Sequence, residues 1–210
     1  AVLREARSNP GQLWLHEGNV KAFERIVRET KRAGIDATGH EPIMVMQLTH
    51  SGRYSKPEGI PQPIIAQRSG VLDPTHSLPD DYPVVTDDYL NRLQDTYVDA
   101  ARLAAQAGFD GIDIKACHGY LIAELLAARG RDGRYGGPLE NRTRLLREVL
   151  ARLSAEVAGA FPTSRLNAYD GYDRRWGWGV SEEDPTVPDL EEPRWLLEEL
   201  ASVGVPVVNI

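Results

Sequence analysis

The sequence predicts an α/β protein built on a parallel sheet, and three observations carry that reading. Short apolar runs of strand length alternate with longer segments of helical periodicity. Helix start and stop residues punctuate that alternation at the expected places. The two long connections, residues 51–85 and 169–188, both follow a strand-like run. Loops that long in a compact protein usually carry function.

Residues 19–33 read as the first helix, with Val20, Phe23, Ile26 and Val27 on one face and Gly34 as the stop. Residues 43–48 form the first strand. Thr86 caps the next helix, and Asp87 and Asp88 lie in its positive first turn. Leu90, Leu93, Tyr97, Ala101 and Ala104 follow at helical spacing, and Gly108 ends it. The second strand covers 111–115, a helix 139–158, and the third strand 164–168. Asp189, three residues before Glu192, suggests a capping box for a helix reaching Ser202. The fourth strand covers 205–210.

A chain of 210 residues, 41% hydrophobic and 26% charged, is enough for one soluble domain. The formal charge of −7 argues against nucleic acid or an anionic membrane as partner. No apolar run approaches the ~18 residues needed to cross a bilayer. A lone cysteine, Cys117, leaves no internal disulfide, so a packed thiol in a reducing, cytoplasmic setting is expected. With five histidines and one cysteine, no zinc or iron–sulfur ligand set is expected. The Tyr135-Gly-Gly stretch lacks the spacing and the Lys of a phosphate loop.

Polar residues gather where the strands run out. Asp113 and Lys115 alternate with Ile112 and Ile114, so the charged pair shares one face. Two readings are open: a structural ion pair, or a cation placed beside a substrate or cofactor. His118 and Tyr120 follow within five residues of Lys115. An imidazole or ammonium can polarise a carbonyl oxygen, and a phenol can protonate the adjacent carbon. Gln47 ends the first strand with both a donor and an acceptor. Arg165 lies on the third strand, where Asp113 or Asp170 are its candidate partners. His50 and Arg53 either line the substrate side or order the loop.

Three stretches together resemble the Old Yellow Enzyme family of flavin-dependent ene-reductases. They are Gln47-Leu-Thr-His-Ser-Gly-Arg53, Lys115-Ala-Cys-His-Gly-Tyr120 with Arg134-Tyr-Gly-Gly-Pro-Leu-Glu-Asn-Arg142, and the strand carrying Arg165. The resemblance implies a (β/α)8 TIM barrel, with residues 1–210 forming a partial domain covering roughly strands 3 to 6. It also implies FMN as cofactor, NAD(P)H as reductant and a small-molecule substrate. Gln47 and Arg165 fall on the flavin-binding positions, Lys115 and His118 on the pair that holds the substrate's electron-withdrawing group, and Tyr120 on the proton donor. The Tyr135-Gly-Gly turn reads as architectural. Lys115 departs from the family's usual His, which puts the enone and nitroalkene substrate range in question.

Two rivals accompany this reading: a Schiff-base lyase using Lys115, and a non-catalytic flavin-binding relative. A homo-oligomer is open. An incomplete barrel is expected to expose strand edges and, lacking its final strands, to bind flavin poorly by itself.

Overall fold

The computed structural model describes residues 1–210. The elements run α1 (Val20–Thr38), β1 (Val45–Leu48), α2 (Leu72–Thr75), α3 (Asp87–Gln106), β2 (Gly111–Ala116), α4 (Leu121–Leu126), α5 (Leu139–Arg142), α6 (Arg144–Glu156), β3 (Phe161–Leu166), α7 (Glu191–Ser202) and β4 (Val207–Asn209). All strands are parallel and lie in the order β1-β2-β3-β4. Parallel strands laid down in sequence, each crossover carrying a helix, build one arc of a β/α barrel.

The helices form a single layer: α1 packs on α3, α3 on α6 and α6 on α7. Toward them point Leu48, Ile112, Ile114 and Leu166, which join Leu93, Tyr97, Ala101, Val149 and Leu196 in the main buried cluster. The opposite face has no helical cover. Val45, Gln47, Val207 and Asn209 are exposed on it. Near its lower end the Phe161 ring lies against Gly111, where a Cβ would come within 2.7 Å of the ring.

Thr86 caps α3 as its position suggests, accepting from Tyr89 N at 3.1 Å. Asp87 does more than face the helix dipole. Its carboxylate receives Arg131 Nη2 at 2.7 Å and Arg134 N at 2.6 Å, tying the helix to the Tyr135-Gly-Gly turn.

Several boundaries differ from the sequence reading. Gly34 does not stop α1, which runs on to Thr38 and closes at Gly39 with φ 77°. The bare Gly34 instead admits Pro42, whose Cδ would lie 2.6 Å from a Cβ there. The helix expected over 139–158 is two segments meeting at Thr143. The Thr143 hydroxyl donates to the Leu139 carbonyl at 2.8 Å, a bond that bends helices. The capping box at α7 does not form. Asp189 accepts from Glu191 N at 3.0 Å, and Leu190 is the N-cap. Glu192 turns away to Arg129 and Arg142, each at 2.6 Å, because charge-assisted bonds outcompete a neutral backbone amide. No helix is long and apolar enough to cross a membrane.

Candidate active site

Sheet register brings the separated motifs together. Gln47, Asp113 and Thr163 occupy one row across β1, β2 and β3, and Lys115 and Arg165 the next. Neighbours in a row of a parallel sheet point to the same face, here the uncovered one. Gln47, Lys115 and Arg165 therefore rise from that face near the carboxyl ends of three adjacent strands.

Past Ala116 the chain turns through two left-handed residues, His118 (φ 63°) and Gly119 (φ 64°). Glycine adopts that conformation freely, whereas a β-carbon-bearing residue does so at a cost. Tyr120 then becomes the extended N-cap of α4. Its ring folds back over β2, with Lys115 Nζ 3.7 Å from the ring centroid. Lys115, His118 and Tyr120 thus form one cluster, His118 exposed and the other two half-buried.

Of the two readings left open for Asp113 and Lys115, the ion pair is absent. Gln47 Nε2 donates to Asp113 at 3.0 Å instead. Burial pushes the Asp113 carboxyl above its usual range, although the Gln47 bond and the charges of Arg165 and Lys115 act the other way. Arg165 pairs with neither suggested carboxylate. Asp170 accepts from Asn167 Nδ2 and Trp178 N, both at 2.9 Å, and so serves its own loop. Lys115 and Arg165 are left as two cations without an anionic partner. Partial loss of water lowers the His118 pKa, and both cations push the same way, so the ring is neutral at neutral pH. The face of Tyr120 attracts a cation rather than a neutral amine, which weighs against a nucleophilic Lys115. Cys117 is buried, and burial raises its thiol pKa, leaving it unreactive.

Arg53 belongs to the loop, not to the substrate side. Its fully buried guanidinium binds Glu124 through Nε at 2.9 Å, Asp73 at 2.5 Å and the Gln67 carbonyl at 3.0 Å. Glu124 also accepts from Ala66 N at 2.7 Å. This network fastens residues 51–85 onto α4. Glu124 was detectable: a lone carboxylate inside Leu121-Ile-Ala-Glu-Leu-Leu must find a cation when that run is buried. Gly52, next to Arg53, has φ 59°, and a Cβ there would lie 2.6 Å from Leu121 N. Tyr54 is a site-wall residue that the sequence did not single out. Its ring lies 5.8 Å from that of Tyr120 and meets His76 edge-on at 5.0 Å.

The Tyr135-Gly-Gly turn is architectural, as expected. Tyr135 Oη donates to Asn91 at 2.7 Å, and Arg142 joins the Gly137 and Leu126 carbonyls to Glu192. A Cβ on Gly136 would lie 2.3 Å from the Arg131 carbonyl oxygen.

Comparison with known proteins bears on the fold and the family. A family model described as the NADH:flavin oxidoreductase / NADH oxidase family matches residues 5–182. A putative 12-oxophytodienoate reductase 3 from Oryza sativa subsp. japonica is 34% identical over 166 residues, covering 76% of this chain and 41% of that protein. The NADPH dehydrogenase of Clostridium acetobutylicum is 35% identical over 136 residues, covering 64% of this chain and 37% of its own length. The chain thus spans less than half the length of these relatives. An Old Yellow Enzyme homologue from Zymomonas mobilis superposes with a TM-score of 0.71 at 26% identity, covering 99% of this chain and 56% of the other. That likeness makes the four-stranded sheet an arc of a TIM barrel. The family match takes in all three strand-end motifs, and the chain belongs to the NADH:flavin oxidoreductase / NADH oxidase family.

Proposed function

We propose that the whole protein is an FMN-dependent oxidoreductase that takes reducing equivalents from NAD(P)H and passes them to an activated alkene or a related small molecule. One observation carries this: Gln47, Lys115, Arg165, His118 and Tyr120 converge at the carboxyl ends of three adjacent strands, on the face no helix covers. Active sites of β/α barrels lie at that end.

The residues suit a flavin. Arg165 has five donors and no protein anion to receive them, and the Gln47 carboxamide keeps its oxygen free of any bond within the chain. A ring edge bearing both acceptors and a donor matches that pair. Bound there, the flavin would supply a centre that accepts a hydride from nicotinamide and yields one to substrate. The protein would do the rest. Lys115 and neutral His118 donate to the oxygen of the substrate's electron-withdrawing group. Tyr120 Oη, with no hydrogen-bond partner in the chain, gives its proton to the carbon beside the one that receives hydride. Solvent restores that proton. Under this reading the protein works in the reducing cytoplasm, where the lone Cys117 stays a thiol, and a homo-oligomer is compatible with it.

The test is spectroscopic. The purified whole protein is expected to show flavin absorption that NAD(P)H bleaches without oxygen and an activated alkene restores. A protein that stays colourless in excess FMN contradicts the reading. Bleaching without restoration by any alkene removes the alkene-reducing part of it.

A further inference from the structure

We infer that the substrate of this site carries a carboxylate conjugated to its alkene, and that Lys115 is the residue that selects it. The inference rests on the function proposed above and adds the substrate class.

Lys115 and Arg165 are register partners on neighbouring strands, so two positive side chains leave the same face side by side. Like charges placed opposite each other across a sheet are destabilising. No carboxylate of the chain forms an ion pair with either, although both act on Asp113 and the Tyr120 ring faces Lys115. Asp113 is engaged by Gln47, and burial disfavours its charged form. Asp170 is engaged by Asn167 and Trp178. Neither carboxylate at the strand ends reaches ion-pair distance of these cations, so an anion that pairs directly with Lys115 must come from outside the chain. The flavin edge accounts for Arg165. Lys115 is left over.

Long lysines normally carry their charge out into water. Lys115 does not: its ammonium is held 3.7 Å from the centre of the Tyr120 ring. The charge is therefore fixed beside the proton donor. Tyr54, 5.8 Å from Tyr120, supplies an aromatic wall. A planar molecule with a terminal carboxylate satisfies the cation, the wall and the donor together. A neutral carbonyl would leave the ammonium uncompensated. A conjugated carboxylate is a weak electron-withdrawing group, and a full positive charge against it offsets the negative charge that builds up as hydride arrives. The balance is simple: the C=C bond gains a hydride, whose electrons come from NAD(P)H, and a proton from Tyr120.

Isothermal titration of the whole protein with cinnamate and with its neutral isostere cinnamamide tests this. The wild type is expected to bind cinnamate at least about tenfold more tightly, the usual worth of a hydrogen bond to a charged group. Lys115→Gln is expected to abolish that preference, with cinnamate losing about tenfold more affinity than cinnamamide. Lys115→Arg is expected to keep it. Melting curves run beside the titrations. Because Lys115→Gln removes one of two neighbouring cations, its melting temperature is expected to hold or rise. Equal affinity for the two probes in the wild type, or an unchanged ratio in Lys115→Gln, overturns the inference. The titration reads binding and not turnover, so an anion preference is measured even in a protein whose bleached flavin no alkene restores. If FMN itself does not bind, the function proposed above fails separately, on the spectrum.

Discussion

His50 and His118 lie close in the fold and do opposite things. Gly52 N donates to His50 Nδ1 at 3.0 Å, so Nε2 carries the proton and donates to Tyr89 Oη at 2.8 Å. That hydroxyl donates in turn to Glu5 at 2.8 Å. Full burial drops the His50 pKa from 6.5 to about 3. The unfolded chain therefore binds a proton that the folded chain refuses. Stability is full above pH 6.5 and falls as pH drops below it, by about 1.4 kcal/mol per pH unit, until the folded pKa is reached. Urea midpoints between pH 7 and pH 5, above most carboxylate titration, are expected to show this fall. His50→Gln keeps a donor toward Tyr89 but cannot titrate, and is expected to flatten the curve. Parallel curves for the two proteins would place the acid sensitivity elsewhere. Which histidine was structural could not be read from the sequence. Both follow strands in the same kind of loop, and only the tertiary fold covers one with residues 1–7 and leaves the other exposed.

At the scale of elements, the 51–85 connection is ordered by charge more than by apolar packing. Arg53→Met is expected to cost about 3–5 kcal/mol, because it strands Glu124 as a buried carboxylate without a cation and leaves Asp73 to Arg68 alone. Denaturant unfolding measures the loss, and hydrogen exchange is expected to quicken first in residues 51–85 and α4. A loss under about 1 kcal/mol, typical of exposed pairs, would mean that the loop is held by other contacts. The alternation of β and α elements was legible because outward-facing Ile112 and Ile114 and the periodic Leu90, Leu93 and Tyr97 must bury against each other. Boundaries were less so. β3 begins at Phe161 rather than Ser164 and includes Pro162, which sequence reasoning keeps out of central strands. Pro162 is tolerated because Phe161 N points to β2 and the next residue faces β4, whose pairing starts only at Thr163 with Val207. The missing N–H falls where there is no partner. β4 is likewise shorter than expected, Val207–Asn209.

Across the whole molecule, the sheet carries helices on one side, and the residues proposed for the site rise from the other. β1 and β4 each pair along one edge only, as the sequence reading anticipated for an arc of a barrel. That Gln47, Lys115 and Arg165 share one face of the sheet was legible because three motifs in order mark the strand ends. The electrostatics of that face were not. Sequence alternation put Asp113 and Lys115 on one face and invited an ion pair between them, but the register across strands gave Asp113 to Gln47, and the turn after β2 gave Lys115 to Tyr120. Contacts between strands cannot be read from one strand.

The central claim is that Tyr120 stands over this face as the proton donor to the substrate. Rapid-mixing kinetics of the whole protein test it most directly, by following flavin absorbance in the two half-reactions separately for wild type and Tyr120→Phe. Reduction by NAD(P)H is expected to change little, while reoxidation by an activated alkene slows by roughly 10²–10⁴, the usual contribution of a general acid. Equal slowing of both half-reactions, or none in the second, would contradict the account and leave Tyr120 as a wall of the site.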